Sequence, residues 1–333
     1  MQNKLISLQE AVAKYTRDGM VYSSGASLPV GSDAIAFGRE MVRQGRKNIH
    51  YLAHCCTQQV NLLCAAGAVD KIEGGFSGLE VYGFANGVRR AVESGVVAWE
   101  DYSNLSMSLR FMGAALNWPF VPATVNIGSD QEWRSAFKPD EYPCKSKIPQ
   151  VTDPFTGKTY GALSVAKPEL AVIHVTMADA NGNGIVLGTQ WNRFELARAA
   201  DKVILQADVL VDTDCMRQYP NLVIIPDIIV EAVVPWKLGA WPACSVGIYD
   251  SDQEHMFSMN KALGTPEGYA AYRTKFIDSW TTEEEYLNVI GQPQVDQLLS
   301  GPSAFLMDPY RKWIKSDDEI KDLMKNSKFA EGR

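Results

Sequence analysis

Cysteine is sparse in this 333-residue chain: six residues, Cys55, Cys56, Cys64, Cys144, Cys215 and Cys244, with no CxxC pair. Their number and scatter exclude a secreted disulfide scaffold. Positive charge is in deficit, 32 Lys and Arg against 39 Asp and Glu, for a formal net charge of -7. The chain therefore lacks the electrostatic footprint of a DNA, RNA or anionic-membrane binder, and neither nucleic acid nor membrane is expected as a partner. No uninterrupted apolar run approaches the roughly 20 residues of a membrane helix. The opening MQNKLISLQEAVAKY lacks a basic start followed by an apolar core and a cleavage site, so no signal peptide is expected, and a reducing cytoplasm is the expected location. Internal repeats and low-complexity segments are also missing.

What is present is an ordinary globular composition, 46% hydrophobic and 21% charged, with length enough for one large domain or two smaller ones. Ser7 and Glu10 form a capping-box pattern before a helix ending near Gly19, and Met20 to Ser24 is extended. A helical pattern over Asp33 to Gln44 leads to a strand-like Asn48 to Cys56. Helix signals at Val60 to Ala66, Asn86 to Ser94 and Leu105 to Asn117 then alternate with strand signals at Val69 to Glu73, Val96 to Trp99 and Val121 to Val125. Such alternation implies an α/β fold, an open and mostly parallel sheet covered by helices. Five Pro and Gly residues among charges make residues 138–160 a loop or hairpin excursion. Strand patterns resume at Leu170 to Val175, Lys202 to Gln206 and Ile228 to Val234. The tail 266–333 is expected to be helical, with Thr282 and Glu285 as a second capping pair. We expect one domain over 1–333.

PELAVIHVTMADANGNG, from Pro168 to Gly184, is the most telling stretch. A short run rich in Val and Ile ends in small, polar and glycine residues, as a strand buried on both faces does before a tight loop. In open α/β sheets ligands sit at such strand ends. Other local patterns carry less. His50, His54, Cys55 and Cys56 offer zinc-ligand chemistry, yet two strand positions four apart are separated by about 13 Å, so no metal is expected. Gly182, Gly184 and Gly188 are spaced GxGxxxG rather than GxGxxG, and the following IVLGTQ is strand-like, so a turn is the expected role. Neither Ser77 nor Ser27 sits in a GxSxG elbow.

Several segments in order resemble the family I CoA-transferases, specifically the α-type subunit of their glutaconate CoA-transferase branch. PELAVIHVTMADANGNG carries the family's A-D-x-x-G-N tail. GMVYSSGAS (19–27) resembles its first strand and Gly-Gly loop, with Ala26 in place of the second glycine. LLCAAGAVDKIEGGF (62–76), AVESGVVAWEDYSN (91–104), GAALNWPFVPATVNIGSD (113–130), VEAVVPWKLGAWP (230–242) and GIYDSD (247–252) follow. The likeness spans roughly residues 5–290 and implies the CoA-transferase (NagB/RpiA-like) fold. It also implies a coenzyme A thioester as substrate and no permanently bound cofactor.

Family members work through a glutamate that attacks the acyl-CoA carbonyl and becomes a glutamyl-CoA thioester. That residue belongs to the β-type half, so the resemblance implies a β-type partner subunit carrying the catalytic Glu, with acyl-CoA and a carboxylic acid as substrates. Glu93-Ser94-Gly95 has suggestive letters but aligns with a noncatalytic segment, and Glu231 is expected to be a paired structural carboxylate. The resemblance places Asn104 where the family has an oxyanion-hole glutamine, one methylene longer. Ser103 and Asn104 are each equally suited to N-capping the helix that follows. Gly25, Ala26, Ser27, Ser77, Gly128, Ser129 and Asp130 are the implied substrate-binding loops, and each is also ordinary turn chemistry. Trp241 stands where the family often has histidine. Acyl-CoA hydrolases and decarboxylases of the same architecture are the rival reading, although hydrolase relatives have glutamate at the Asn104 position. A noncatalytic binding subunit is the other.

Overall fold

Helix and strand alternate from the first residues of the computed structural model, which describes residues 2–25, 31–137 and 146–330. α1 (Leu8–Tyr15), β1 (Val21–Ser24), α2 (Ile35–Arg43), β2 (Ile49–Ala53), α3 (Gln58–Ala65), β3 (Val69–Gly74), α4 (Asn86–Glu93), β4 (Ala98–Asp101) and α5 (Asn104–Ala115) come first. After β5 (Phe120–Ala123), α6 (Asp130–Trp133), β6 (Gln150–Thr152) and β7 (Thr159–Ser164), the sheet is rejoined by β8 (Leu170–Ala178). β9 (Gly184–Ile185), α7 (Arg193–Ala199), β10 (Lys202–Leu210), α8 (Thr213–Gln218), β11 (Val223–Ile225) and β12 (Ala232–Pro235) complete it.

Among the described residues seven strands run parallel in the order β4, β3, β2, β1, β8, β10, β12, and β9 and β11 add antiparallel beside the end of β8. Chain order reverses between β1 and β8, which opens a crevice at the carboxyl ends of the central strands. All nine residues of β8 are buried, as a strand covered on both faces must be. One face is packed by α1, α2, α3 and α4, the other by α5 and α7 through Met107, Phe111, Leu196 and Ala197.

The departures from the sequence pattern have physical causes. β8 continues past His174 to Ala178, and the ADANGNG turn closes on the Asp179 carboxylate, which accepts from the backbone N–H of Asn181, Gly182 and Asn183. His174 is thus a buried mid-strand residue 3.1 Å from Asp208, away from any strand end. β4 begins at Ala98 rather than Val96, because Gly95 at φ 73 carries the turn further. β5 is not in the parallel sheet: it pairs antiparallel with β7, which pairs with β6, and Pro122 is tolerated because β5 is an edge strand. The excursion is therefore partly a hairpin.

The C-terminal region is helical, as the pattern indicates: α9 (Gln253–Leu263), α10 (Pro266–Phe276), α11 (Glu283–Ile290), α12 (Gln292–Leu299) and α13 (Asp317–Lys325). Thr282 and Glu285 form the expected capping box. Fully buried Arg39 fastens this region to α2, donating to the Tyr272 hydroxyl at 2.9 Å and the Tyr286 hydroxyl at 3.3 Å and lying over the Trp241 ring. Trp241 donates its indole N–H to Asp252 at 3.0 Å, so packing and a satisfied donor account for it. Among the described residues no helix is long and apolar enough to cross a membrane.

Candidate functional site

The N-terminus of α5 is where the strand ends converge. Ser103 is its N-cap, accepting from the Ser106 N–H at 3.0 Å while its own N–H donates to the Ser106 hydroxyl at 2.8 Å. Asn104, left with Ser103 as an alternative cap by the sequence, is instead the first helical residue, and its exposed side chain is free of capping. The positive end of the α5 dipole acts at the same point.

Two residues from neighbouring strand ends hold Asn104. A Cβ on Gly75, just past β3, would lie 2.3 Å from Asn104 Oδ1 and 2.6 Å from its backbone N, so only glycine lets the two segments meet. Cys55, just past β2, hydrogen-bonds the Asn104 side chain, yet burial pushes its thiol up to about 11. It is protonated at neutral pH and serves as a packing partner, with no nucleophilic thiolate. His54 Nδ1 is 3.3 Å from Cys55 Sγ, and burial lowers its pKa, leaving a neutral imidazole. Glu80, at φ 52, sends its negative field to Cys55.

The candidate substrate loops sit around this point unequally. Gly25 ends β1, and a Cβ there would be 3.0 Å from Arg193 Cγ and 3.1 Å from Ile173. Arg193 is fully buried and donates to the Thr189 carbonyl at 2.6 Å and to the Ser32 carbonyl and hydroxyl at 2.5 and 2.9 Å. Burial brings its guanidinium down to about 10, with the Asp33 carboxylate opposing only in part. Ala26 and Ser27 lie outside the described residues. Gly128, at φ 77, donates its N–H to Glu132 at 2.6 Å, the Ser129 hydroxyl donates to the Asn126 carbonyl, and exposed Asp130 opens α6. This turn is tied to the α5 entrance by Ser103 donating to Asn126 at 3.3 Å and Gln131 donating to Asp101 at 2.8 Å. Ser77 faces elsewhere, onto a cleft with Phe84, Val88 and Trp99.

The other candidates fall away from the crevice. His50 pairs with Glu73 at 2.9 Å while His54 turns toward Trp191, so the two imidazoles diverge. Glu93 pairs with Arg89 on the exposed face of α4, and Glu231 accepts from Tyr15 at 3.1 Å and pairs with Lys328 at 3.3 Å.

Three features escaped the sequence pattern. Gly75 has the look of turn chemistry, Arg193 belongs to an unanticipated helix, and Trp191 has a left-handed backbone at φ 49, which costs a bulky residue about 1 kcal/mol or more. The half-exposed Trp191 ring lies 6.4 Å from that of His54, and together with Ser108, Met112 and Glu195 they line a pocket of about 190 Å³. A further charged cluster lies under α5. Glu73 and Glu100 are register neighbours; Arg110 and His50 pair with the first, Lys147 with the second at 2.6 Å. Burial alone would raise the Glu73 carboxyl, but His50 and Arg110 bring it to about 2.

Chemically, a side-chain amide beside a helix N-terminus can stabilise an oxygen that is gaining negative charge. It does not itself attack. Comparison with known proteins gives this site a context. The family model described as coenzyme A transferase matches residues 5–235. An uncharacterized protein of Archaeoglobus fulgidus is 33% identical over 295 residues, 87% of this chain, which spans 63% of that relative's length. A glutaconate CoA-transferase subunit from Acidaminococcus fermentans is 26% identical over 303 residues, 89% of this chain and 94% of the relative. The crystal structure of glutaconate coenzyme A-transferase from that organism superposes with TM-score 0.83 at 25% identity, covering 90% of this chain and 96% of its own. The AibA/AibB decarboxylase shares the fold at TM-score 0.68 and 24% identity, covering 82% of this chain and 100% of its own.

Proposed function

The chain belongs to the coenzyme A transferase family, and from that membership and the half-site at Asn104 we propose that it is the α-type subunit of a heteromeric enzyme moving CoA between carboxylic acids. The observation that carries the proposal is the Asn104 amide, packed on Gly75 at the start of α5 with no activated nucleophile beside it among the described residues. A β-type partner supplies the missing glutamate across the crevice. Its carboxylate attacks the acyl-CoA carbonyl, the carbonyl oxygen gains charge toward Asn104, and CoA departs as thiolate, leaving a mixed anhydride. CoA returns to give glutamyl-CoA and free acid, and the second acid reverses the steps, a ping-pong exchange. The coenzyme A thioester is a substrate here, and no bound cofactor is needed.

Hydrolysis or decarboxylation on the same fold is the competing chemistry. An amide at position 104 donates a hydrogen bond but cannot take a proton from water, which favours transfer over hydrolysis. The test has two parts. The chain alone should show no CoA transfer and should gain it with its β-type partner; transfer by the isolated chain overturns the split site. Acyl-CoA followed by borohydride should reduce a glutamate of the partner and leave Glu80, Glu93 and Glu231 unmodified. Reduced Glu80, the carboxylate whose field reaches Cys55, would move the nucleophile to this chain.

A further inference from the structure

The pocket between α5 and the segment leading to α7 has a chemical character of its own. It is lined by the His54 ring, the Trp191 indole, Met112 and Leu109, and by the polar side chains of Ser108, Asn192 and Glu195. Ser108 is one helical turn from Asn104 on the same face of α5, and His54 precedes the cysteine that hydrogen-bonds Asn104, so the pocket adjoins the amide. Its volume of about 190 Å³ is below the roughly 300 Å³ of sites that hold drug-sized ligands, which suits a short chain.

The charges are one-sided. Among the described residues no lysine or arginine lines the pocket. Glu195, half-buried, has no ion-pair partner within 4 Å among the described residues. Arg198, one turn on, reaches it only through its longer-range field, because its guanidinium lies 3.4 Å from the Phe194 ring centroid. Arg193 directs its terminal nitrogens to Thr189 and Ser32 behind the β1 end. Glu80 adds a second negative field near Cys55. A left-handed backbone at a tryptophan is a conformation kept against its own cost, and here it sets the indole against His54.

Resting on the CoA-transfer reading, we propose that this pocket is the acyl subsite and that it selects short, uncharged acyl groups over dicarboxylates. Trp191 and Met112 cover the chain, and Glu195 repels a terminal carboxylate at the far end. This selects by an unfavourable contact as much as by a favourable one.

Pentanoyl-CoA and glutaryl-CoA have the same chain length and differ at the terminus, methyl against carboxylate. In the assembled enzyme, kcat/KM for pentanoyl-CoA should exceed that for glutaryl-CoA at least tenfold. Glu195→Gln should narrow that ratio at least fivefold by raising the glutaryl value, and Glu195→Ala should do the same if glutamine packs poorly. Trp191→Ala should lower the pentanoyl value at least tenfold and the acetyl-CoA value by less. Transfer that favours glutaryl-CoA, or a ratio unmoved by both Glu195 variants, overturns the subsite and leaves CoA transfer standing. No transfer from acetyl-, pentanoyl- or glutaryl-CoA removes the underlying reading and the subsite with it.

Discussion

Asn104→Ala separates chemistry from helix capping more sharply than the sequence allowed, because the structure gives those roles to adjacent residues. Ser103 carries the cap, with φ -83 and ψ 159 and a reciprocal pair of hydrogen bonds to Ser106. Asn104 sits at the first helical position, where alanine is a good helix former, and its side chain contributes the contact with Cys55 and its packing on Gly75. Its loss should cost within about 1 kcal/mol of stability. A preorganised donor to an oxyanion is a different quantity: it acts on charge present only in the transition state and is worth about 3 kcal/mol, or roughly 100-fold in kcat with little change in KM.

Ser103→Ala is the mirror experiment. It should cost about 1 kcal/mol through the lost cap, a melting shift of about 2 °C for a chain of this size, and leave turnover per folded molecule near normal. Asn104→Gln should keep substantial activity, since the donor remains and Asn104 is exposed. Asn104→Glu places a carboxylate where negative charge must develop, and transfer should collapse. Steady-state kinetics of the four variants with the partner, beside their melting temperatures, decide the matter. If Asn104→Ala turns over normally, the oxyanion role is wrong whatever its melting temperature does.

Gly75→Ala should mimic Asn104→Ala in kcat, because its methyl must displace the Asn104 amide and backbone, and should also melt lower; wild-type kcat would show that the contact does not position the amide. Glu73 gives a pH prediction: its folded carboxyl is held near 2 against an ordinary 4.5, so its contribution is present above pH 4.5 and lost as pH falls toward 2. The difference amounts to about 3 kcal/mol, and urea titrations from pH 5 to 3 should show a shallower acid loss in Glu73→Gln than in wild type; equal slopes would refute the assignment. Glu73→Gln should also be less stable at pH 7, since it leaves buried Arg110 without its carboxylate.

What was legible in the sequence was local. The capping pairs at Ser7 and Thr282 depend on groups three residues apart, and the all-buried β8 shows in its own run of Val and Ile. β5 was misplaced because its apolar pattern is that of any short strand, and its pairing with β7 is decided some forty residues later. Asn104 entered through family resemblance, and the choice between it and Ser103 as cap turns on one residue's backbone angles, which two adjacent polar side chains do not reveal.

Gly75 marks the boundary between the two kinds of information. In EGGFSG three glycines look like a turn, and nothing nearby says which of them is constrained. Gly74 lies opposite Asp101 across β3 and β4, so the chain leaving β4 passes over Gly75 as it enters α5. That passage puts Asn104 on the Gly75 Cα, and the missing side chain becomes the space in which the amide is held. Trp191 reaches the same point from well over a hundred residues away, by way of the reversal of strand order between β1 and β8. The site is therefore a property of the sheet order, and single-sequence patterns report on the strands that compose it without reporting where their ends meet.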